Sequence, residues 1–343
     1  MNIATDNFTL KNKNGIEITF TAHGGRLVSV KVPSKNGRID DIVVGYDTIE
    51  KSVKGDLYFG ALCGRFANRV AKGKFEIDGT HYQLDVNNGP NHLHGGIDGF
   101  FNRVWDVKPL EKEGAVSAYQ LSLVSPDGDQ KYPGELKVKV VYSLTADNQF
   151  CIEYEAETNK PTIINLTSHP YFNLKGAGNG DVCEHELQLM ASRYTTIDKE
   201  LGTCGGEIAD VKGTPMDFTS KKPIGDAVNT VNNEQIQLGG GGIDHNFVID
   251  NGGKEVVLAA RVSDRWSGRA LEVYTDQPGV QIYTGNHFDG TEIGKKGVGI
   301  VKYGGVAFET QIFPNSPNIE HFPNATLRPG EKYHHTCIYK FHY

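Results

Sequence analysis

The chain has 343 residues, 38% of them hydrophobic and 22% charged, an ordinary composition for a folded globular protein. Its 35 Lys and Arg against 42 Asp and Glu leave a net charge of −7, which argues against a nucleic-acid backbone as partner. No stretch approaches the roughly 18 uncharged apolar residues needed to span a bilayer, so no membrane partner is expected. Met1 to Asn14 alternates polar and apolar residues without an apolar centre, so no signal peptide is expected either. The five cysteines (Cys63, Cys151, Cys183, Cys204 and Cys337) are scattered, which suits neither a disulfide framework nor a structural zinc site. The expectation is a cytoplasmic protein with reduced thiols.

The 41 glycines and 14 prolines punctuate short β-rich runs. Apolar and polar residues alternate through Glu17-Ile18-Thr19-Phe20-Thr21, through Leu136 to Tyr142, through Gln149 to Tyr154 and through Ala270 to Thr275, the pattern of half-buried strands. Lys74 to Tyr82 reads as a hairpin turning at Asp78-Gly79. Helical periodicity is scarce, and only short pieces could be helical, such as the region around Lys221 to Val231. Many strands with close turn signals mean an all-β sandwich or barrel, read as a single domain over residues 1–343.

Five segments carry more chemistry than a plain fold needs. Gly64-Arg65-Phe66-Ala67-Asn68-Arg69-Val70 places two guanidinium forks around an Asn, suited to hydroxyls or carboxylates, though solvated loop arginines are an equal reading. In Asn91-His92-Leu93-His94-Gly95-Gly96, an extended chain would point His92 and His94 the same way. No third metal ligand lies nearby in sequence, and a ligand-facing or structural His is preferred to a metal pair. Asn165 to Leu174 packs polar groups into an apolar stretch, where they must satisfy one another or a ligand. Within it, His169 is a candidate acid, held protonated by a neighbouring carboxylate such as Glu309. Gly242 to Phe247 presents Asp244, an acceptor for hydroxyls or simply a turn residue. Last, Gly304 to Gln311 ends an apolar run in Glu309, a carboxylate whose burial would raise its pKa and suit it to general-base work near neutral pH. The glycines at Gly176 to Asp181 and Gly290 to Lys296 miss the dinucleotide and phosphate-loop spacings and are expected to be loops.

Taken together, these strings resemble the aldose 1-epimerase family, the galactose mutarotases. The resemblance rests on Gly64 to Gly73, Leu93 to Gly96, Ser125 to Gly128 with Tyr132 to Leu136, Asn165 to Leu174, Gly242 to Phe247, Gln277 to Asn286, Phe308 to Gln311 and Leu327 to Glu331, in family order along the chain. One departure is Ser168-His169-Pro170, where many members have Asn before the His and Ser after it. The resemblance implies a large antiparallel β-sandwich with an open sugar-binding cleft. It implies interconversion of the α and β anomers of free hexoses such as galactose and glucose, with no metal or cofactor. Carried over by motif, Glu309 resembles the general base and His169 the general acid. His94, Asp244 and Arg69 resemble sugar-positioning residues, with Asn68, Tyr171 and Gln281 as further contacts. The implied partner is a small monosaccharide, and a monomer or weak homodimer is expected. The alternatives are a hexose-6-phosphate 1-epimerase, which should gather extra cations, a glycoside hydrolase pairing Glu309 with Asp244, and a non-catalytic carbohydrate-binding module.

Overall fold

The computed structural model describes residues 6–55 and 58–343. Met1 to Thr5, the first part of the stretch examined for a signal peptide, lie outside the described residues. Among the described residues the largest sheet has nine strands, in spatial order Asp106–Pro109, Ala115–Ser125, Leu136–Thr145, Gln149–Thr158, Tyr333–His342, Ala270–Thr275, Val257–Ser263, Glu186–Leu189 and Lys222–Pro223. Every pairing in it is antiparallel. The alternation read from Leu136 to Tyr142 has a physical cause. Leu136, Val138, Val140, Tyr142 and Leu144 point inward and are buried, while Lys137 points to solvent.

Two smaller sheets cover the inner face of this layer. Asn7–Lys11, Glu17–Thr21, Leu27–Pro33 and Ile39–Asp41 form a meander whose Phe20 ring meets Tyr142 edge-on at 5.0 Å. The other is six-stranded, in the order Tyr171–Phe172, Val306–Gln311, Gly279–Tyr283, Asp244–Val248, Arg193–Asp198 and Thr203–Asp210. It packs on the large sheet through Val306, Phe308, Val280, Ile282 and Phe247, which share a core with Val273, Tyr339 and Phe341. Thr310 Oγ1 lies 2.8 Å from His335 Nε2 across that interface. The architecture is an antiparallel β-sandwich, and its main core draws residues from Leu10 to Phe341.

The Asp78-Gly79 hairpin forms between Lys74–Ile77 and Thr80–Gln83, with both turn residues at positive φ (50° and 78°) as a tight primed turn requires. The expected helix between Lys221 and Val231 shrinks to Gly225–Val228. Among the described residues two further short helices form, Ile49–Lys54 capped by Thr48 and Glu234–Leu238 capped by Asn233. Each is too short to show a helical period.

Every residue of Val306–Gln311 is buried, because both of its faces are covered. Val306, Phe308 and Thr310 face the large sheet, while Ala307, Glu309 and Gln311 face the other way. That second face of the six-stranded sheet is the floor of the site.

Candidate active site

Strand register places the floor residues in rows. Asn246, Gln281 and Glu309 sit opposite one another on three adjacent strands. Beside them runs a second row, Asp244, Tyr283, Ala307 and Tyr171. His169 follows the short strand Thr167–Ser168. Its backbone is pinned on both sides: its N–H donates to Ala61 O and its carbonyl accepts from Gly60 N–H, each at 2.9 Å. Residues about 140 positions apart in sequence thereby meet, with His169 Nε2 3.3 Å from Glu309 Oε1 and both side chains almost wholly buried. The cleft above them measures about 310 Å³.

The aromatic rings around His169 hold it in place. Tyr171 stacks on it at 4.7 Å and Tyr58 at 6.2 Å, and His94 meets it edge-on at 5.3 Å. Tyr58 also lies 4.7 Å from His94, so these four rings form one wall.

Burial dominates the electrostatics. Desolvation pushes the Glu309 carboxyl well above its usual range; nearby Asp244 adds to this, and Arg69 opposes it. Desolvation pushes His169 down to about 4 and His94 well below its usual value. The expectation that Glu309 holds His169 protonated is therefore reversed in the free site. Withdrawal from water favours the neutral form of each partner, the carboxyl and the imidazole alike. Glu309 Oε2 is buried and makes no side-chain hydrogen bond with the described residues.

His94 is fixed in another way. Its φ of 51° turns the chain out of the two-residue strand His92–Leu93. Its N–H donates to Asn68 O at 3.1 Å, and its ring Nδ1 accepts from Asn68 N–H at 3.2 Å. The neutral ring must then carry its proton on Nε2, making it a hydrogen-bond donor. This bears on a metal reading. Donor atoms of His94, His169 and Glu309 lie within 4.8 Å of one another, but a Nε2–H offers no lone pair, so the set makes a poor cation cage. The glycine after His94 is obligatory: at φ +88°, a Cβ on Gly95 would sit 1.7 Å from Gly64 O.

The expectation that His92 and His94 point the same way fails at this turn. His92 is in the core, its Nδ1 2.7 Å from Asp85 O and its Nε2 2.6 Å from Tyr132 Oη. The paired arginines also separate. Arg65 is buried and donates to the carbonyls of Ser125, Pro126, Pro133 and Gly134, so it is a structural tie. Arg69 reaches the cleft instead, with NH1 3.6 Å from Asp244 Oδ2. Asp244 Oδ1 accepts from Gln281 Nε2 at 2.7 Å. Asn68 lines the cleft and accepts from Arg69 N–H at 2.8 Å. The polar groups of Asn165 and Asn173 bond to backbone rather than to each other or a ligand: Asn165 Nδ2 to Ala67 O, and Asn173 Nδ2 to Gly180 O and Gly304 O.

The cleft is also lined by Tyr58, Asn87, Asn88, Tyr283, His287 and Phe288, none of which was singled out from sequence. Asn87-Asn88-Gly89-Pro90 looks like plain turn chemistry, and an isolated Tyr carries no signal of its own.

A family profile described as aldose 1-epimerase matches residues 6–340. The galactose mutarotase of Bos taurus is 42% identical over 326 residues, covering 95% of this chain and 91% of that protein. Among solved structures, an aldose epimerase homologue from C. elegans superposes with a TM-score of 0.89 at 30% identity, covering 99% of both chains. The galactose 1-epimerase of Lactobacillus acidophilus superposes with a TM-score of 0.85 at 34% identity, covering 97% of this chain and 93% of that one. With its sheets, its cleft and its sequence all pointing one way, the chain belongs to the aldose 1-epimerase family.

Proposed function

We propose that this protein interconverts the α and β anomers of free hexoses, with galactose and glucose as the first substrates to test. The observation that carries this reading is the contact between His169 and Glu309, an imidazole and a carboxyl within proton-transfer reach in a cleft sized for a monosaccharide.

A cyclic aldose is a hemiacetal. Opening it removes the proton from the anomeric hydroxyl, delivers a proton to the ring oxygen, breaks the C1–O5 bond and leaves a C1 aldehyde. Glu309 as carboxylate takes the first proton and His169 as imidazolium supplies the second. Rotation about C1–C2 presents the other face of the aldehyde. Closure reverses both transfers and returns the pair to its starting state. A Glu309 carboxyl kept neutral by burial supplies the one proton this requires. Moving it from the Glu309 carboxyl to the His169 ring, 3.3 Å away, creates base and acid together with no change in net charge. Arg69 favours the ionised carboxylate and Asp244 favours the charged ring. With the anomeric end between Glu309 and His169, the hydroxyls on the far side of the ring meet Asp244, Arg69 and the Nε2–H of His94. Gln281 acts behind Asp244, Asn68 lies beside Arg69, and Tyr171 braces His169.

The rival readings fit less well. A phosphorylated sugar needs cations, yet Arg65 is consumed by the fold and Arg69 is shared with Asp244. A hydrolase needs a second proton-transferring carboxyl, and Asp244 is already engaged by Gln281 and Arg69. Among the described residues no helix is long and apolar enough to cross a membrane. Five free thiols suit a reducing compartment, in keeping with a cytoplasmic protein; one domain over residues 1–343, working as a monomer or weak homodimer, completes the proposal.

Polarimetry on freshly dissolved α-galactose and α-glucose tests the reading. Glu309→Gln and His169→Asn should each lower turnover at least about a hundredfold while the protein stays folded. A rate near that of the parent protein in either variant removes that residue from its role.

A further inference from the structure

A guanidinium recognises hydroxyls through a rigid plane of N–H donors, so the direction of that plane decides what it can bind. Arg69 sits on a flexible stem, and its contact with Asp244 is long at 3.6 Å. Something else must fix the plane. Asn88 Oδ1 accepts from Arg69 Nε at 3.0 Å, a bond to the innermost nitrogen of the fork that leaves NH1 toward Asp244. Asn88, Arg69, Asp244 and Gln281 therefore form one hydrogen-bonded and ionic chain across the cleft.

The mounting of Asn88 is stiff. Its N–H donates to Asn91 O at 3.0 Å and its carbonyl accepts from Asn91 N–H at 2.9 Å, closing a four-residue loop. Asn91 is buried and anchors that loop twice more. Its Oδ1 accepts from Lys72 N–H at 3.0 Å and its Nδ2 donates to Leu201 O at 2.7 Å.

We propose that Asn88 is a positioning residue for substrate, acting through Arg69: its side-chain carbonyl aims the guanidinium at the sugar hydroxyls remote from the anomeric carbon. The proposal rests on the reading of this cleft as a sugar site. It extends that site by a residue from a segment that otherwise looks like a turn.

The test measures galactose mutarotation for the parent protein, Asn88→Ala, Asn88→Asp, Arg69→Ala and the Asn88→Ala/Arg69→Ala double variant, with melting curves for each. Asn88→Ala should raise KM about tenfold, the scale of one hydrogen bond to a charged group, and leave kcat within about twofold. Asn88→Asp keeps the acceptor and should return KM to within about threefold of the parent value. Because Asn88 acts through Arg69, adding Asn88→Ala to Arg69→Ala should change kcat/KM less than about twofold further. The proposal is overturned by an unchanged KM in Asn88→Ala, by a fall in kcat at constant KM, by no rescue in a folded Asn88→Asp, or by full multiplication of the two alanine effects. Failure of the parent protein to mutarotate any hexose would instead overturn the sugar-site reading, a separate result.

Discussion

Arg65 and Arg69 lie four residues apart, and His92 and His94 two apart, yet each pair divides between two regions of the molecule. Arg65 and His92 belong to the packed shell around Tyr132, where backbone carbonyls and a phenol satisfy them. Arg69 and His94 belong to the cleft, where part of their hydrogen-bonding capacity stays open. Residue type does not separate the two roles; the destination of each polar hydrogen does. The device that divides them is local. Asn68, between the two arginines, and His94, the cleft residue of its pair, both adopt positive φ, which turns the chain at each pair.

The largest effect expected from this contrast is at Arg65. Arg65→Ala strands several buried carbonyls and should cost about 4 kcal/mol of stability, seen as a large drop in melting temperature. Arg69→Ala should raise KM for galactose with little change in melting temperature. Equal losses of stability in both variants would erase the distinction. Next, His92→Ala should cost about 2 kcal/mol by orphaning the Tyr132 hydroxyl and Asp85 O, with kcat preserved in the folded fraction. His94→Ala should lose activity first, with a smaller drop in melting temperature from the orphaned Asn68 N–H. A kinetic defect in His92→Ala without destabilisation would place His92 in the site after all.

A subtler sharpening uses pH. Burial raises the Glu309 pKa above its unfolded value, so between those two values the folded protein binds more protons than the unfolded chain. Stability contributed by the protonated group is complete below the unfolded value and is lost as pH rises toward the folded one. The slope approaches about 1.4 kcal/mol per pH unit for one full proton. Glu309→Gln should remove this slope, so the variant should melt higher than the parent protein, and by more at pH 8 than at pH 5. Parallel melting profiles across that range would show that Glu309 carries no such penalty.

The strands were legible wherever one face meets solvent, as in Leu136–Thr145, because alternation exposes the period. Val306–Gln311 shows no such alternation, since both its faces are covered, and there Glu309 betrayed itself only as a charge in an apolar run. The candidate pair of His169 and Glu309 was legible through chemistry and family motif together, and the structure brings the two side chains into contact. Its ionisation was not, because that depends on how much water the fold withdraws, a quantity no local string encodes. Nor was the parting of His92 from His94, which hangs on one left-handed residue. Asn88 stayed hidden because an Asn-Asn-Gly-Pro run looks the same whether it merely turns the chain or braces an arginine.

The strand carrying Glu309 is a two-sided ruler. Sliding it by a single position would drive the carboxylate into the seam between the sheets and swing a bulky ring or a Thr into the cleft. A lineage can therefore lengthen or trim the surface loops of this scaffold freely, but one codon gained or lost between residues 306 and 311 would silence the protein at a stroke, long before any drift in the residues that touch the sugar.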